Sequence, residues 1–484
     1  MGLTTTAHRL GGVFVALIAA LLLAGCHAPR LATPTDQVLT GQYSEAAEFV
    51  RRQVVDDKGS RRYVLTRMRV GVMELAAGEP ERAEGSLAEV YDLLRTQGIN
   101  DDKTVATVVV NEGVRVWKGE PFEQALAMTY FGLTEGVLGS WDNVRAAAQS
   151  SLFYLRDFGQ SEPSRYRQRA RVAGSVGVGV GVGGGRSGVR VGSVTSLDLV
   201  KRAARAEERG EPDYLDNGYV AEASNFTLGY LLHGIASQQL GRDDEARDFL
   251  DRAVWLNPAL GPLRDRLWNE PYNAVLVASY GLAPRKQAYG PSGALARFVP
   301  VFGSTPARLR VEVDGKRQDE SHVVTDVNRL AVDHRWNNLE DLRLAKATLG
   351  RAGILVGSVV ASRGFSRNND TAGLVGLGIL ALGAYMEYQA QANTDYCDVF
   401  PQRFYVVPLW LDPEDGAASG GSTVELQVGN RPGASARLDG VRGAAAGQPA
   451  KLIYFRVPAY NGNGSVSAQD PRRIASWQGR VGWD

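Results

Sequence analysis

Cysteine is scarce in this 484-residue chain, with Cys26 and Cys397 the two present. Two thiols exclude a disulfide-dense scaffold and any zinc site built from several thiolates. Histidine is nearly as rare, five in all, so the stock of groups for acid–base or metal chemistry is thin. Neither charge sign is in excess, since 54 Lys and Arg face 53 Asp and Glu for a net charge of +1. There is no basic surplus to hold a phosphate backbone, and nucleic acid is not an expected partner. An internal apolar window, Ala372 to Met386, has 15 residues between Asp370 and Glu387, short of the roughly 20 that span a bilayer. What is there is an ordinary globular balance of 44% hydrophobic and 22% charged residues, enough at about 150 residues per domain for some three domains with real cores.

The first thirty residues have a pattern of their own. Arg9 precedes an apolar stretch from Leu10 to Leu23, and small residues Ala24 and Gly25 lead to Cys26. A positive start, a short apolar core and small residues before a cut form a secretory signal. Leu23-Ala24-Gly25-Cys26 resembles the lipobox of bacterial lipoproteins; the alternative is an ordinary signal peptide whose cut precedes a cysteine. The resemblance implies removal of residues 1–25, a diacylglycerol thioether on the Cys26 thiol and acylation of its amino group. With His27 rather than aspartate next, it also implies transfer to the outer membrane. Cleavage removes Arg9 alone among charged residues, leaving 53 against 53, so acyl chains rather than charge must supply attachment. Residues 26–36, with Pro29 and Pro34 and no periodicity, read as a short extended tether.

From 37 to 268 the pattern is helical. Tyr230, Gly234, Ala246, Leu250, Ala253 and Pro258 are spaced as in the 34-residue tetratricopeptide repeat, in which large residues of one helix pack on small ones of the next. Gly71, Gly78, Ala83 and Leu87 repeat the offsets of Gly234, Gly241, Ala246 and Leu250; a looser copy has Gly132, Gly139 and Ala148, and a half copy Gly41 and Ala46. The turn glycines 41, 78, 139 and 241 are unevenly spaced, which departs from a regular tandem array. The expected form is a compact α-solenoid whose concave side is open to a peptide or partner helix. His233 takes a packing position, and Trp117, Trp141 and Trp255 fall at helix ends, where packing and partner binding are both open readings. A glycine-valine insertion, 174–192, contains G-x-G-x-x-G spacings, but no strand-turn-helix unit surrounds them and no nucleotide site is inferred.

From 270 to 460 the period becomes two. Leu309, Val311 and Val313 alternate with Arg308, Arg310 and Glu312 ahead of the turn signal Asp314-Gly315, and Val424, Leu426 and Val428 alternate likewise. Leu452 to Val457 and Phe404 to Leu411 are apolar on both faces. The reading is a small antiparallel β domain with one solvated and one covered side, interrupted at 338–392 by a glycine-rich helical hairpin. That hairpin is either buried, its glycines allowing close approach, or placed against a membrane or membrane partner. Residues 461–484, with Trp477 and Trp483, read as a flexible tail.

A second resemblance rests on short motifs. These are Gly119-Glu120-Pro121-Phe122-Glu123, Ala274-Val275-Leu276-Val277, Gly281-Leu282-Ala283-Pro284-Arg285-Lys286, Asp326-Val327-Asn328-Arg329-Leu330, and Ala392-Asn393-Thr394-Asp395 before a strand with Pro408. Together they resemble an uncharacterised family of bacterial lipoproteins often encoded near activators of peptidoglycan synthases, over about residues 110 to 430. The resemblance implies helical repeats followed by such a β domain, and a role in the envelope.

Chemistry-bearing clusters are sparse. His322 lies four residues from Asp326 and Asp333 adjoins His334, yet nothing completes a nucleophile-base set or a metal motif. Cys397, unable to pair with an acylated Cys26, is a small buried residue or a free thiol. The whole reads as an α+β, non-enzymatic, cofactor-free protein, anchored to the outer membrane through Cys26 and presenting a scaffold to the periplasm for protein partners in envelope assembly or maintenance. The alternatives are an accessory lipoprotein of a secretion or export machine and a hydrolase using His322 or His334.

Overall fold

The computed structural model describes residues 32–58, 60–96, 117–156, 226–289, 295–301, 307–318, 321–333, 358, 376–380, 393–415, 420–429 and 434–459. The leader with Cys26, the insertion 174–192, the tail 461–484 and nearly all of 338–392 lie outside the described residues. Helices come first: α1 (Thr35–Leu39), α2 (Tyr43–Arg51), α3 (Tyr63–Ala76), α4 (Pro80–Thr96), α5 (Pro121–Val137), α6 (Trp141–Arg156), α7 (Thr227–Gln239), α8 (Asp243–Leu256) and, after a short 3-10 turn, α9 (Gly261–Asn269).

One kind of turn joins four of these pairs. Gly41, Gly78, Gly139 and Gly241 have φ of 78°, 74°, 91° and 70°, a left-handed conformation that glycine adopts without a Cβ penalty. The residue after each glycine donates its N–H back across the helix end, Gln42 to Gln37 O, Glu79 to Glu74 O, Ser140 to Glu135 O and Arg242 to Ser237 O, at 2.8–2.9 Å. This is the Schellman arrangement, which satisfies carbonyls the helix leaves open. The helices it joins then cross closely. A Cβ on Gly71 would run into Leu87 Cγ, one on Gly132 would lie 2.9 Å from Ala147 Cβ, and one on Gly234 2.8 Å from Leu250 Cγ.

The two helices of a pair differ in burial. In α5 every position from Phe122 to Val137 is buried except Phe131, whereas α8 buries only Ala246, Leu250 and Ala253. A helix apolar all round belongs in a core, and one with a single apolar stripe lies on a surface. Thus α3, α5 and α7 form an inner row and α4, α6 and α8 an outer one.

Beneath the inner row lies a sheet. The strands are β1 (Ala274–Tyr280), β2 (Arg285–Tyr289), β3 (Leu295–Val299), β4 (Leu309–Val313), β5 (Lys316–Arg317), β6 (Thr325–Asp326), β7 (Arg403–Leu409), β8 (Ser422–Val428), β9 (Ser435–Val441) and β10 (Lys451–Val457), with helix α10 (Val327–Asp333) after β6. A central sheet has the order β10-β1-β7-β6, an outer sheet β5-β4-β8-β9, and β2 pairs with β3 alone. Asp314 and Gly315, with φ of 50° and 73°, make the tight turn from β4 to β5.

The structure corrects the antiparallel reading: β1 runs parallel to β10 and antiparallel to β7, so the central sheet is mixed. A parallel pair needs a crossover, and the long stretch of chain between the two strands supplies it. The expectation of one solvated face is corrected too. Val275, Val277, Phe404, Val406, Leu452 and Tyr454 pack with the helices, while Leu276, Ala278, Tyr405, Val407, Ile453 and Phe455 pack with the outer sheet. The central sheet is covered on both faces, whereas the outer sheet alternates between buried and more exposed positions. Each such buried side chain contributes about 1.5–3 kcal/mol, so the three layers hold one another.

One continuous apolar core contains residues of α1 to α9 and of the central sheet, and a second lies between the central and outer sheets. One further expectation changes. The concave side of the helical array is not open. A Cβ on Gly136 of α5 would lie 2.7 Å from Leu452 Cδ1 of β10, and Tyr130 and Tyr454 hydroxyls are 2.9 Å apart. The protein's own sheet occupies the place expected for a ligand peptide.

Candidate functional site: a clasp at one end of the central sheet

The strand pairing fixes two ends. Tyr280, Arg403 and Val457 lie together at one end of the central sheet, and Ala274, Leu409 and Lys451 at the other. Buried charge collects at the first, around residues 395–400 on the way into β7.

Arg69 of α3 is 1% exposed and makes four polar contacts there. Its Nε and Nη2 donate to the Asp398 carboxylate at 2.7 and 3.2 Å, Nη1 donates to Gln53 Oε1 at 2.9 Å, and Nη2 also donates to the Ala32 carbonyl at 2.6 Å. A two-point arginine–carboxylate contact fixes orientation as well as charge. Burial pushes the Asp398 carboxyl above its ordinary range, and the guanidinium opposes this. Arg456 of β10, also 1% exposed, donates to the Val399 carbonyl at 2.5 Å and the Gly281 carbonyl at 2.8 Å.

Glu123 closes the clasp from α5. The Pro121 start gives this helix a fixed first turn, and Glu120 and Glu123 cap it reciprocally. Glu123 accepts the Glu120 N–H at 2.9 Å and the Cys397 N–H at 2.7 Å. Burial pushes its carboxyl up to about 7, against the pull of Lys286 and of those two backbone donors. Lys286 pairs directly with Glu120. Cys397 is buried, and burial, with Asp398 and Glu123 nearby, raises its thiol well above the usual range; such a thiol stays protonated and inert. Trp117 Nε1 donates to the Asp395 carbonyl at 3.1 Å, and the Asp395 carboxylate meets Arg61 and Arg62 at 3.4 and 3.1 Å. Arg69, Lys286, Arg61 and Arg62 each face a carboxylate, while Arg456 is held by two backbone carbonyls, so these side chains tie distant chain segments together.

The residues singled out in the sequence divide clearly. Gly71, Leu87, Gly132, Gly234, Ala246 and Leu250 lie at helix crossings, Ala83 and Ala253 are buried in the core, Tyr230 is half-buried against Phe249 at 6.0 Å, and Pro258 opens the 3-10 turn after α8. His233 is buried and stacked on Phe249 with centroids 3.7 Å apart; burial holds its pKa at about 4 although Glu245 opposes. Asp326 pairs with Arg403 at 3.2 Å and accepts the Asn328 N–H, and His334 lies outside the described residues. Trp141 donates to the Ala450 carbonyl at 3.0 Å, while Trp255 is 62% exposed. Trp117, Glu120, Glu123, Lys286, Asp395 and Cys397 are singled out in the sequence on other grounds, but Arg69, Asp398 and Arg456 are not. The available signal is a charge inside an apolar element, Arg69 within Met68-Arg69-Val70 and Arg456 within Phe455-Arg456-Val457.

Among the described residues no three His, Cys, Asp or Glu side chains are placed to hold a metal ion, and no helix is long and apolar enough to cross a membrane. No family model, curated protein or solved structure matches the chain.

Proposed function

We propose that this chain is a lipid-anchored scaffold of the bacterial outer membrane, facing the periplasm, that holds protein partners during envelope assembly or maintenance. The observation that carries the reading is the bond from Arg69 to Ala32. Ala32 lies six residues after the lipobox cysteine, so an acylated Cys26 would tie a rigid three-layer body to the bilayer by a tether of about 20 Å. The helix pairs, with their common glycine turn and close glycine crossings, are read as tetratricopeptide-like units, a type suited to protein contacts. The likeness to lipoproteins encoded near peptidoglycan-synthase activators directs the role toward the cell wall.

With the concave side filled, partners are assigned to the outer helical row. Phe153 of α6 and Trp255 of α8 are 46% and 62% exposed there, and the Arg252 guanidinium lies 4.1 Å from the Trp255 ring centre. Exposed aromatics backed by arginine are the side chains that most often anchor interfaces. A photo-crosslinking residue at Phe153 or Trp255, in the intact protein in cells, tests this. Recovery of peptidoglycan-synthesis enzymes supports the scaffold, and recovery of pore subunits alone favours an accessory role in export instead.

A further inference from the structure

The described residues give the molecule a direction. At the end of the central sheet marked by Tyr280, Arg403 and Val457, Arg69 binds Ala32, the first described residue, and Asp398, a few residues after the chain rejoins the described part at 393. Val327, the first residue of α10, also lies at this end, donating its N–H to the Gln402 carbonyl at 2.7 Å. β10 likewise exits at this end, where the Ala459 N–H bonds to the Leu39 carbonyl at 2.9 Å and Pro458 packs on Gly41. The opposite end holds Asn273, whose amide and backbone tie Leu409, Leu411, Ala444 and Lys451 together, and beyond it Trp410, 62% exposed.

We infer that the Ala32–Arg69–Asp398 end of the sheet faces the lipid bilayer and that the Asn273–Trp410 end points away from it. This rests on the reading that Cys26 is acylated. The reasons are geometric. Six residues from Cys26 to Ala32 reach about 20 Å at full stretch. A seven-residue strand such as β1 itself spans about 23 Å, so the tether would have to lie flat along the whole sheet before the far end touched lipid. The guanidinium that fixes Ala32 fixes the tether's exit at the near end. The mature charge of zero leaves orientation to the tether rather than to headgroup charge.

The test uses the full acylated protein bound to vesicles of phosphatidylethanolamine and phosphatidylglycerol carrying a quencher on the headgroup. Arg52→Cys, beside Gln53 of the clasp and 76% exposed, and Trp410→Cys each take a fluorescent label, with the unsubstituted protein as the control for Cys397. The expected result is flotation of the protein with the vesicles, loss of flotation in Cys26→Ser, and several-fold stronger quenching at position 52 than at 410. Flotation with equal or reversed quenching overturns the orientation while leaving the anchor standing. Failure of the acyl-bearing protein to float, or flotation of Cys26→Ser as well as the parent, overturns the anchor and the orientation with it.

Discussion

Arg69 and Asp398, 329 positions apart in sequence, meet inside the protein at 2.7 Å. Their contact ties the second turn of α3 to the segment that feeds β7, and the same guanidinium carries the start of the described chain. Removing one partner of such a buried pair leaves the other charge without compensation. Arg69→Met is therefore expected to destabilise by about 3–5 kcal/mol, and Arg69→Met with Asp398→Leu to recover much of that loss. Urea unfolding of the two variants checks this; equal loss in both would show that the pair does not act as a unit.

Crossing glycines and an exposed helical glycine should respond in opposite directions. Gly71→Ala places a methyl against Leu87 and is expected to cost about 1–3 kcal/mol. A methyl at Gly85 of α4 would meet nothing within 4 Å, so Gly85→Ala should stabilise by about 0.5–1 kcal/mol. Thermal unfolding of both separates close packing from backbone entropy.

The turn glycines carry a different cost. A Cβ on Gly241 meets open space, yet its φ of 70° disfavours any L side chain. Gly241→Ala is expected to cost about 1–2 kcal/mol, and Gly241→Asn less, since asparagine tolerates this conformation. The ratio of the two losses, read from unfolding midpoints, distinguishes backbone strain from lost packing.

Two buried groups give opposite pH effects. The Glu123 carboxyl is raised from 4.5 to about 7, so between those values the folded protein holds a proton that the unfolded chain has released, and rising pH weakens the fold. His233 is lowered from 6.5 to about 4, so in that window the unfolded chain holds the extra proton and falling pH weakens the fold. Glu123→Gln should remove the loss on the alkaline side and His233→Leu the loss on the acid side. Unfolding midpoints across pH 4 to 8 test both, and unchanged pH profiles would contradict the assignment.

Local features are legible in the sequence because they are written in neighbouring residues. The glycine at each helix turn, the pairing of Gly71 with Leu87 and of Gly234 with Leu250, and the Asp314-Gly315 turn all follow from short spacing. The β1–β10 pairing is not, because nothing local encodes which distant strand lies beside Ala274 to Tyr280 or in which direction it runs. Coverage of the central sheet on both faces is hinted at by the unbroken apolar runs in β7 and β10, but those runs do not name what covers them. The clasp is least visible: Arg69 and Asp398 look like ordinary surface charges until the fold buries them together.

The proposed attachment of this body to the membrane depends on a lipid at Cys26. Metabolic labelling of cells with palmitate, followed by isolation of the protein, probes that bond itself. Label is expected in the parent chain and none in Cys26→Ser; equal label in the two, or none in either, would contradict the anchor.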